Sequence, residues 1–155
     1  MSTSVKLTLA ENVTLINLTG APADMCFFAS LFDALSEKAV NVDMISQNPP
    51  QGPYSALSFT IADADLRGAL GVISEMREIY PEVRTSVSSE NAKILVSARE
   101  MRESPGFAAK VFQAVALCGA DVRMVTTSEI DISLLVTDAD APTVLENLRK
   151  GFGEQ

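Results

Sequence analysis

The sequence contains no histidine and no tryptophan, and only two of its 155 residues are cysteine. Histidine is the commonest general base and the commonest transition-metal ligand in proteins, so its absence removes Cys-His clusters and Ser-His catalytic pairs. The remaining residues do not assemble a nucleophile, a base and a metal-ligand cluster. We therefore predict a protein that is not an enzyme and that has no metal and no cofactor.

The two cysteines, Cys26 and Cys118, fall on the apolar faces of predicted helices in a chain without a secretion signal. Free cysteine behaves as a small hydrophobic residue, and disulfides are rare in the reducing cytosol. We predict two buried free thiols and no disulfide.

Basic residues are also scarce, since 12 Lys plus Arg stand against 20 Asp plus Glu, for a net charge of -8. Binding to nucleic acid or to an anionic membrane needs a concentrated basic face, and the basic residues here are scattered singly. Apolar runs are short, so no segment approaches the length of a membrane span or a signal core. We expect a soluble cytoplasmic protein with no nucleic-acid partner and no membrane partner.

The sequence does contain an internal duplication. Residues 57–65 (LSFTIADAD) match residues 132–140 (ISLLVTDAD) with a constant offset of 75 positions. Residues 40–47 (VNVDMISQ) return in similar form as residues 120–127 (ADVRMVTT), and in both copies apolar residues alternate with polar ones as in a half-buried strand. Each copy follows an amphipathic helix, so the chain is predicted to be two copies of one α+β unit.

Each unit reads as β-α-β-β-α-β, but the second copy stops after its last helix and lacks a closing strand. The first copy has a spare strand before it, at Val5–Leu9. We predict that this strand completes the second sheet, so that a unit of residues 11–89 is inserted into a unit of residues 1–10 plus 90–155. The predicted fold is two ferredoxin-like sandwiches, each with two helices on one face of an antiparallel sheet.

Several residues have the chemistry of helix caps. Asp24 precedes the first helix, and Ser104 precedes Pro105 and Gly106 as an N-cap followed by proline at the first helical position. The repeated Asp-Ala-Asp segments at 63–65 and 138–140 stand at helix starts, and we interpret them as caps rather than cation ligands.

The motifs at 40–48, 58–60, 104–112, 126–130 and 132–134 together resemble the paired ACT domains of the aspartate kinase regulatory region, over nearly the whole chain. The resemblance implies a homodimer that binds lysine or threonine at interfaces between ACT units and transmits that binding to a kinase domain. Because the chain includes no kinase part, the resemblance also implies a regulatory subunit of a separate aspartate kinase catalytic chain.

A free amino acid needs three kinds of contact, and the motifs offer candidates for each. Its carboxylate suits the positive end of the helix that starts at Pro105 and Gly106. The ammonium is expected at strand-edge carbonyls, and polar side chains at the strand ends would read the ligand's side chain. The predicted binding residues are Met101, Ser104, Pro105, Gly106, Phe107, Asn41, Val42, Asp43, Asp121, Val122, Gln47, Ser128, Glu129, Asp24 and Cys26.

The chain departs from the family pattern at two places. The family's first loop reads Asp-Lys-Pro-Gly, whereas residues 23–26 here read Ala-Asp-Met-Cys, and Arg123 replaces the acidic residue present at Asp43. An arginine there would repel a lysine ammonium and favour a carboxylate or a structural salt bridge. We therefore favour the Ser104–Phe107 loop as the site. The alternative is an assembly subunit of a kinase or other amino-acid biosynthetic enzyme that has lost its ligand.

Overall fold

The computed structural model describes residues 5–153. Within that range the strands are β1 (Lys6–Pro22), β2 (Ile45–Gln47), β3 (Tyr54–Ala62), β4 (Arg84–Ser97), β5 (Val122–Thr127) and β6 (Asp131–Thr137). The α-helices are α1 (Met25–Glu37), α2 (Leu66–Ile79), α3 (Phe107–Ala116) and α4 (Ala141–Gly151), and short 3₁₀ helices at Asp63–Asp65 and Arg99–Glu103 precede α2 and α3. In this part of the chain no helix has both the length and the apolar character of a membrane span.

The chain divides into two compact units. One holds Val13–Ser89, and the other holds the chain up to Asn12 together with the chain from Glu90 onward. The first unit has the strand order β2-β3-β1-β4 and the second has β1-β4-β6-β5. The outermost residues predicted for the second unit, 1–4 and 154–155, lie outside the described residues.

Each unit has its own apolar core between its sheet and two helices, because the strands alternate apolar and polar residues and the helices carry an apolar stripe. Leu57, Phe59 and Ile61 of β3 are buried in the core of the first unit, and the residues 75 positions later, on β6, are buried in that of the second. These later residues are Ile132, Leu134 and Val136. The sequence repeat is thus a repeat of core positions.

The N-terminal strand belongs to the second unit, as predicted. Val5 is buried in the same core as Ala92 and Ile94, and Leu7 packs against that core. Strand β1 is hydrogen-bonded to β4, which in turn pairs with β6. The prediction that the first unit is inserted within a second ferredoxin-like unit is therefore confirmed.

The N-terminal strand predicted at Val5–Leu9 is part of a longer strand. Strand β1 continues to Pro22, and β4 likewise runs unbroken from Arg84 to Ser97. Asn12 and Glu90 each adopt a left-handed backbone, with φ of 60°. Both strands therefore continue through a left-handed residue instead of ending there.

The strand predicted at residues 40–47 is shorter than expected, because the first residues of this segment complete the C-terminus of α1. Ala39 has a left-handed φ of 58°, and the Val40 N–H donates to the Leu35 carbonyl at 3.0 Å. This is the geometry of a helix C-terminus. Strand β2 therefore begins only at Ile45, although the Asp43 N–H already donates to the Thr60 carbonyl of β3.

The interpretation of the repeated aspartates as caps is wrong for Asp65 and Asp140, since neither side chain caps its helix. The Asp140 carboxylate instead accepts the Asp121 N–H and the Thr137 hydroxyl, each at 3.0 Å. The backbone hydrogen bond from Asp121, and then the one from Thr137, lower the pKa of Asp140 below its ordinary value. Asp140 thus fixes the chain before β5 against the start of α4.

Both cysteines are free thiols. Their predicted burial is wrong for Cys26, which is exposed, whereas Cys118 is half-buried and its thiol donates to the Val115 carbonyl. Cys26 lies in the first turn of α1 after Asp24, and it is the next residue, Phe27, whose side chain is buried in the core. Neither cysteine is positioned as part of a disulfide.

Candidate functional site

The two units present equivalent helix starts. At α1 the Phe27 N–H donates to the Asp24 carbonyl, and at α3 the Phe107 N–H donates to the Ser104 carbonyl, both at 3.1 Å. Both phenylalanines are buried in the cores of their units. Asp24 and Ser104 therefore occupy matched positions, and the side chain of Phe107 belongs to the core rather than to a ligand.

The start of α1 is closed by its own chain. Asp24 has an extended backbone, and its carboxylate accepts the Cys26 N–H at 2.9 Å, so the predicted N-cap is confirmed. A carboxylate at this position satisfies a helix N–H and neutralises the positive end of the helix dipole. A ligand carboxylate would have to compete with Asp24 for the same place.

The start of α3 is open. Helix α3 begins at Phe107, two residues later than predicted, and its N-cap residue is Gly106, which has no side chain to cap the helix. Ser104 has the extended backbone of a cap, but Gly106 takes the N-cap position, so Ser104 is not the cap that the sequence predicts. Ser104, Pro105 and Gly106 are exposed, and there is free space around the Cα of Gly106.

A cleft of about 460 Å³ is lined by Met101, Arg102, Ser128 and Glu129. The Ser104 N–H donates to the Met101 carbonyl at 3.4 Å, which links this lining to the residues before α3. Met101 and Arg102 belong to the 3₁₀ helix before α3, and the other two lie in the turn between β5 and β6. A hydrogen bond from the Ala98 N–H to the Ile130 carbonyl, at 2.9 Å, ties these two segments together. The fold thus brings the predicted residues Met101, Ser128 and Glu129 together with Arg102.

Arg102 was not predicted, and it makes the one ion pair in the lining of the described cleft. Its Nη2 lies 2.9 Å from Oε2 of Glu129, and both side chains are largely exposed. The two residues are 27 positions apart, in different secondary structures. No local pattern in the sequence marks such a pair, so only the folded chain could identify it.

The hydroxyl of Ser128 is already engaged in the turn. It accepts the N–H groups of Ile130 and Asp131 at 3.2 Å and donates to the Asp131 carboxylate at 2.9 Å. This is the side-chain turn typical of serine. Ser128 therefore holds the turn that presents Glu129, and its hydroxyl has no free proton for a ligand.

Asp121 and Val122 lie in the same unit as this cleft, where Val122 begins β5. The Asp121 carboxylate pairs with Arg123 at 3.0 Å. Of the two roles that the sequence left open for Arg123, the structure shows the structural salt bridge.

The remaining predicted residues lie in the Val13–Ser89 unit. Asp24 and Cys26 stand at the start of α1, residues 41–43 lie in the segment between α1 and β2, and Gln47 ends β2. A separate cavity of about 440 Å³ in this unit is lined by Gly20, Tyr54 and residues of the loop after β2. Among the residues that the structure describes, no three acidic or cysteine side chains cluster as metal ligands.

Comparisons with known proteins agree with this architecture. The ACT domain family model matches residues 94–152. An aspartokinase of Bacillus sp. (strain MGA3) is 29% identical over 92% of this chain, and the alignment covers 34% of the aspartokinase. The chain thus spans about a third of the length of the curated relatives it matches.

Two solved structures cover nearly the whole chain. The ligand-free regulatory subunit of aspartate kinase from Thermus thermophilus is 27% identical with a TM-score of 0.87, covering 98% of this chain and 99% of that one. A chain of the aspartokinase alpha and beta subunits is 26% identical with a TM-score of 0.84, covering 95% and 97% respectively. The matched third of the longer relatives is therefore their regulatory part, and the 155 residues include no kinase domain. Residues 94–152 thus match the ACT domain family, and the two-unit fold of the chain is similar to that of an aspartate kinase regulatory subunit.

Proposed function

We propose that this chain is a non-catalytic regulatory module that binds a free amino acid, lysine or threonine, at the open start of α3. It would act as a homodimer and as a subunit regulating a separate aspartate kinase catalytic chain. The whole-chain similarity to a regulatory subunit supports the regulatory role. The observation that carries the proposal is the exposed helix start at Ser104–Gly106, which follows directly on residues that line a cleft with Ser128 and Glu129.

The chemistry of the α3 start suits an amino-acid carboxylate. An uncapped helix N-terminus offers N–H donors and a partial positive charge, and the exposed Ser104–Gly106 turn lets a small anion approach. Glu129 lies in the adjoining cleft and could meet the ligand's side chain. The carbonyls around Asp121 and Val122 remain the proposed partners of the ammonium.

The test is isothermal titration calorimetry of the chain with each of the twenty amino acids at millimolar concentration. The wild type is expected to bind lysine or threonine. Ser104→Asp copies the closed arrangement of Asp24 onto α3, so we expect it to weaken binding by roughly 10- to 100-fold, the value of one charge-assisted hydrogen bond. Ser104→Asn is the control, because it caps the helix without a charge and should weaken binding less.

Two results would reject the proposal. One is the absence of heat from every amino acid with the wild type. The other is a Ser104→Asp variant that binds as tightly as the wild type, because the ligand carboxylate would then lie elsewhere.

A second candidate function is a ligand-free assembly subunit, and the closed start of α1 favours it for the Val13–Ser89 unit. Asp24 fills the place that a ligand carboxylate would take, and the exposed Cys26 lies at the position that corresponds to Gly106 in the other unit of this chain. Capture of the kinase chain by this protein, unchanged by any added amino acid, would support assembly over sensing.

A further inference from the structure

The ion pair between Arg102 and Glu129 occupies the part of the cleft that would read a ligand's side chain. Both residues line the cleft, and 2.9 Å separates their charged atoms. Glu129 is the only carboxylate in the described lining, and it is already paired with Arg102.

A ligand with a cationic side chain would meet two obstacles here. It would have to displace Arg102 to reach Glu129, and the displaced guanidinium would remain nearby and repel it. An uncharged side chain leaves the pair intact. It can pack against Met101, which lines the same cleft, and can still be close to the fixed charges of the pair.

We propose that Arg102 is a specificity-determining residue that selects amino acids with an uncharged side chain and excludes cationic ones. The inference rests on the proposed amino-acid site and narrows its ligand class. Arg102 acts by holding Glu129, and by its own charge, so its removal should change the choice of ligand more than the stability of the chain.

The size of the effect follows from the exposure of the pair. The side chains are 62% and 78% exposed, so the pair is a surface salt bridge. Such pairs contribute little, and the loss of one corresponds to roughly a two- to fivefold change in an equilibrium constant. The interaction is screened by salt, so the discrimination between charged and uncharged ligands should weaken at high salt concentration.

The experiment measures the dissociation constants of lysine, threonine and norleucine by calorimetry on the intact chain. Norleucine has the lysine side chain without its ammonium, so the comparison isolates the charge. The wild type should prefer threonine and norleucine to lysine. In Arg102→Gln, the lysine constant should fall about two- to fivefold relative to norleucine, and 0.5 M salt should reduce this gain.

Two variants serve as controls. Arg102→Lys keeps the positive charge and should discriminate like the wild type. Arg99→Gln removes a charge from the same 3₁₀ helix at a residue outside the cleft lining, so its lysine to norleucine ratio should stay unchanged.

The results separate this inference from the proposed function. If lysine binds the wild type as well as norleucine does, or if Arg102→Gln and Arg99→Gln shift the ratio equally, Arg102 does not set specificity although the site exists. If neither the wild type nor Arg102→Gln binds any of the three ligands, the amino-acid site itself is wrong and this inference is overturned with it.

Discussion

The contrast between Asp24 and Ser104 gives a quantitative prediction, because the two residues occupy matched positions but only one caps its helix. Asp24→Ala removes the carboxylate that accepts the Cys26 N–H at 2.9 Å. Loss of an N-cap costs about 1 kcal/mol, within a range of roughly 0.5 to 2 kcal/mol. Ser104→Ala changes a residue outside the N-cap position of α3, so we expect it to change the free energy of unfolding by less than about 0.5 kcal/mol.

Urea unfolding followed by far-ultraviolet circular dichroism measures both variants, with helix content as the common probe. For a chain of this size, a loss of 1 kcal/mol lowers the melting temperature by about 2 to 4 °C. Asp24→Asn is the matched control. Asparagine caps nearly as well as aspartate, so this variant should lose much less stability than Asp24→Ala.

Equal losses in Asp24→Ala and Ser104→Ala would refute the reasoning, because the two helix starts would then be stabilised in the same way. The proposed difference between a closed and an open start would fail with it. A larger loss in Ser104→Ala would be stronger evidence still against an open start at α3.

Two further predictions test the fold. Gly20 has a φ of +67°, and a Cβ there would stand 2.4 Å from the Glu82 carbonyl oxygen, so Gly20→Ala should cost about 2 to 4 kcal/mol in urea unfolding. Gly52, with φ +65° and open space around it, isolates the backbone part, and a Gly52→Ala loss as large as that of Gly20→Ala would contradict the steric argument. Since the folded pKa of Asp140 is lowered, it stabilises the chain above its ordinary pKa of 3.8, and this contribution is lost as pH falls below that value. Asp140→Asn should therefore flatten the fall in stability as the pH drops below about 4, and an unchanged pH profile would disprove this role.

Much of the architecture could be read from local patterns. Alternation at Leu57, Phe59 and Ile61, repeated 75 positions later, predicted two strands with buried faces, because side chains alternate across a sheet. The surplus strand at the N-terminus and the missing strand at the C-terminus predicted the insertion. The boundaries were less predictable, as at Ala39 and Asn12, because a left-handed residue ends a helix in one place and lies inside a strand in the other, without any change in hydrophobic pattern.

The sequence by itself determined the duplication, the insertion and the Asp24 cap, since each depends on periodicity or on chemistry within a few neighbouring residues. It also indicated Met101 and Glu129 through a resemblance, but not their relation to Arg102. The tertiary structure alone decided that Arg102 meets Glu129, that Asp140 holds Asp121 instead of capping α4, and that the start of α3 stays open. These are contacts between segments 19 or more residues apart, or the lack of a contact, and their free energy depends on geometry that no local pattern encodes.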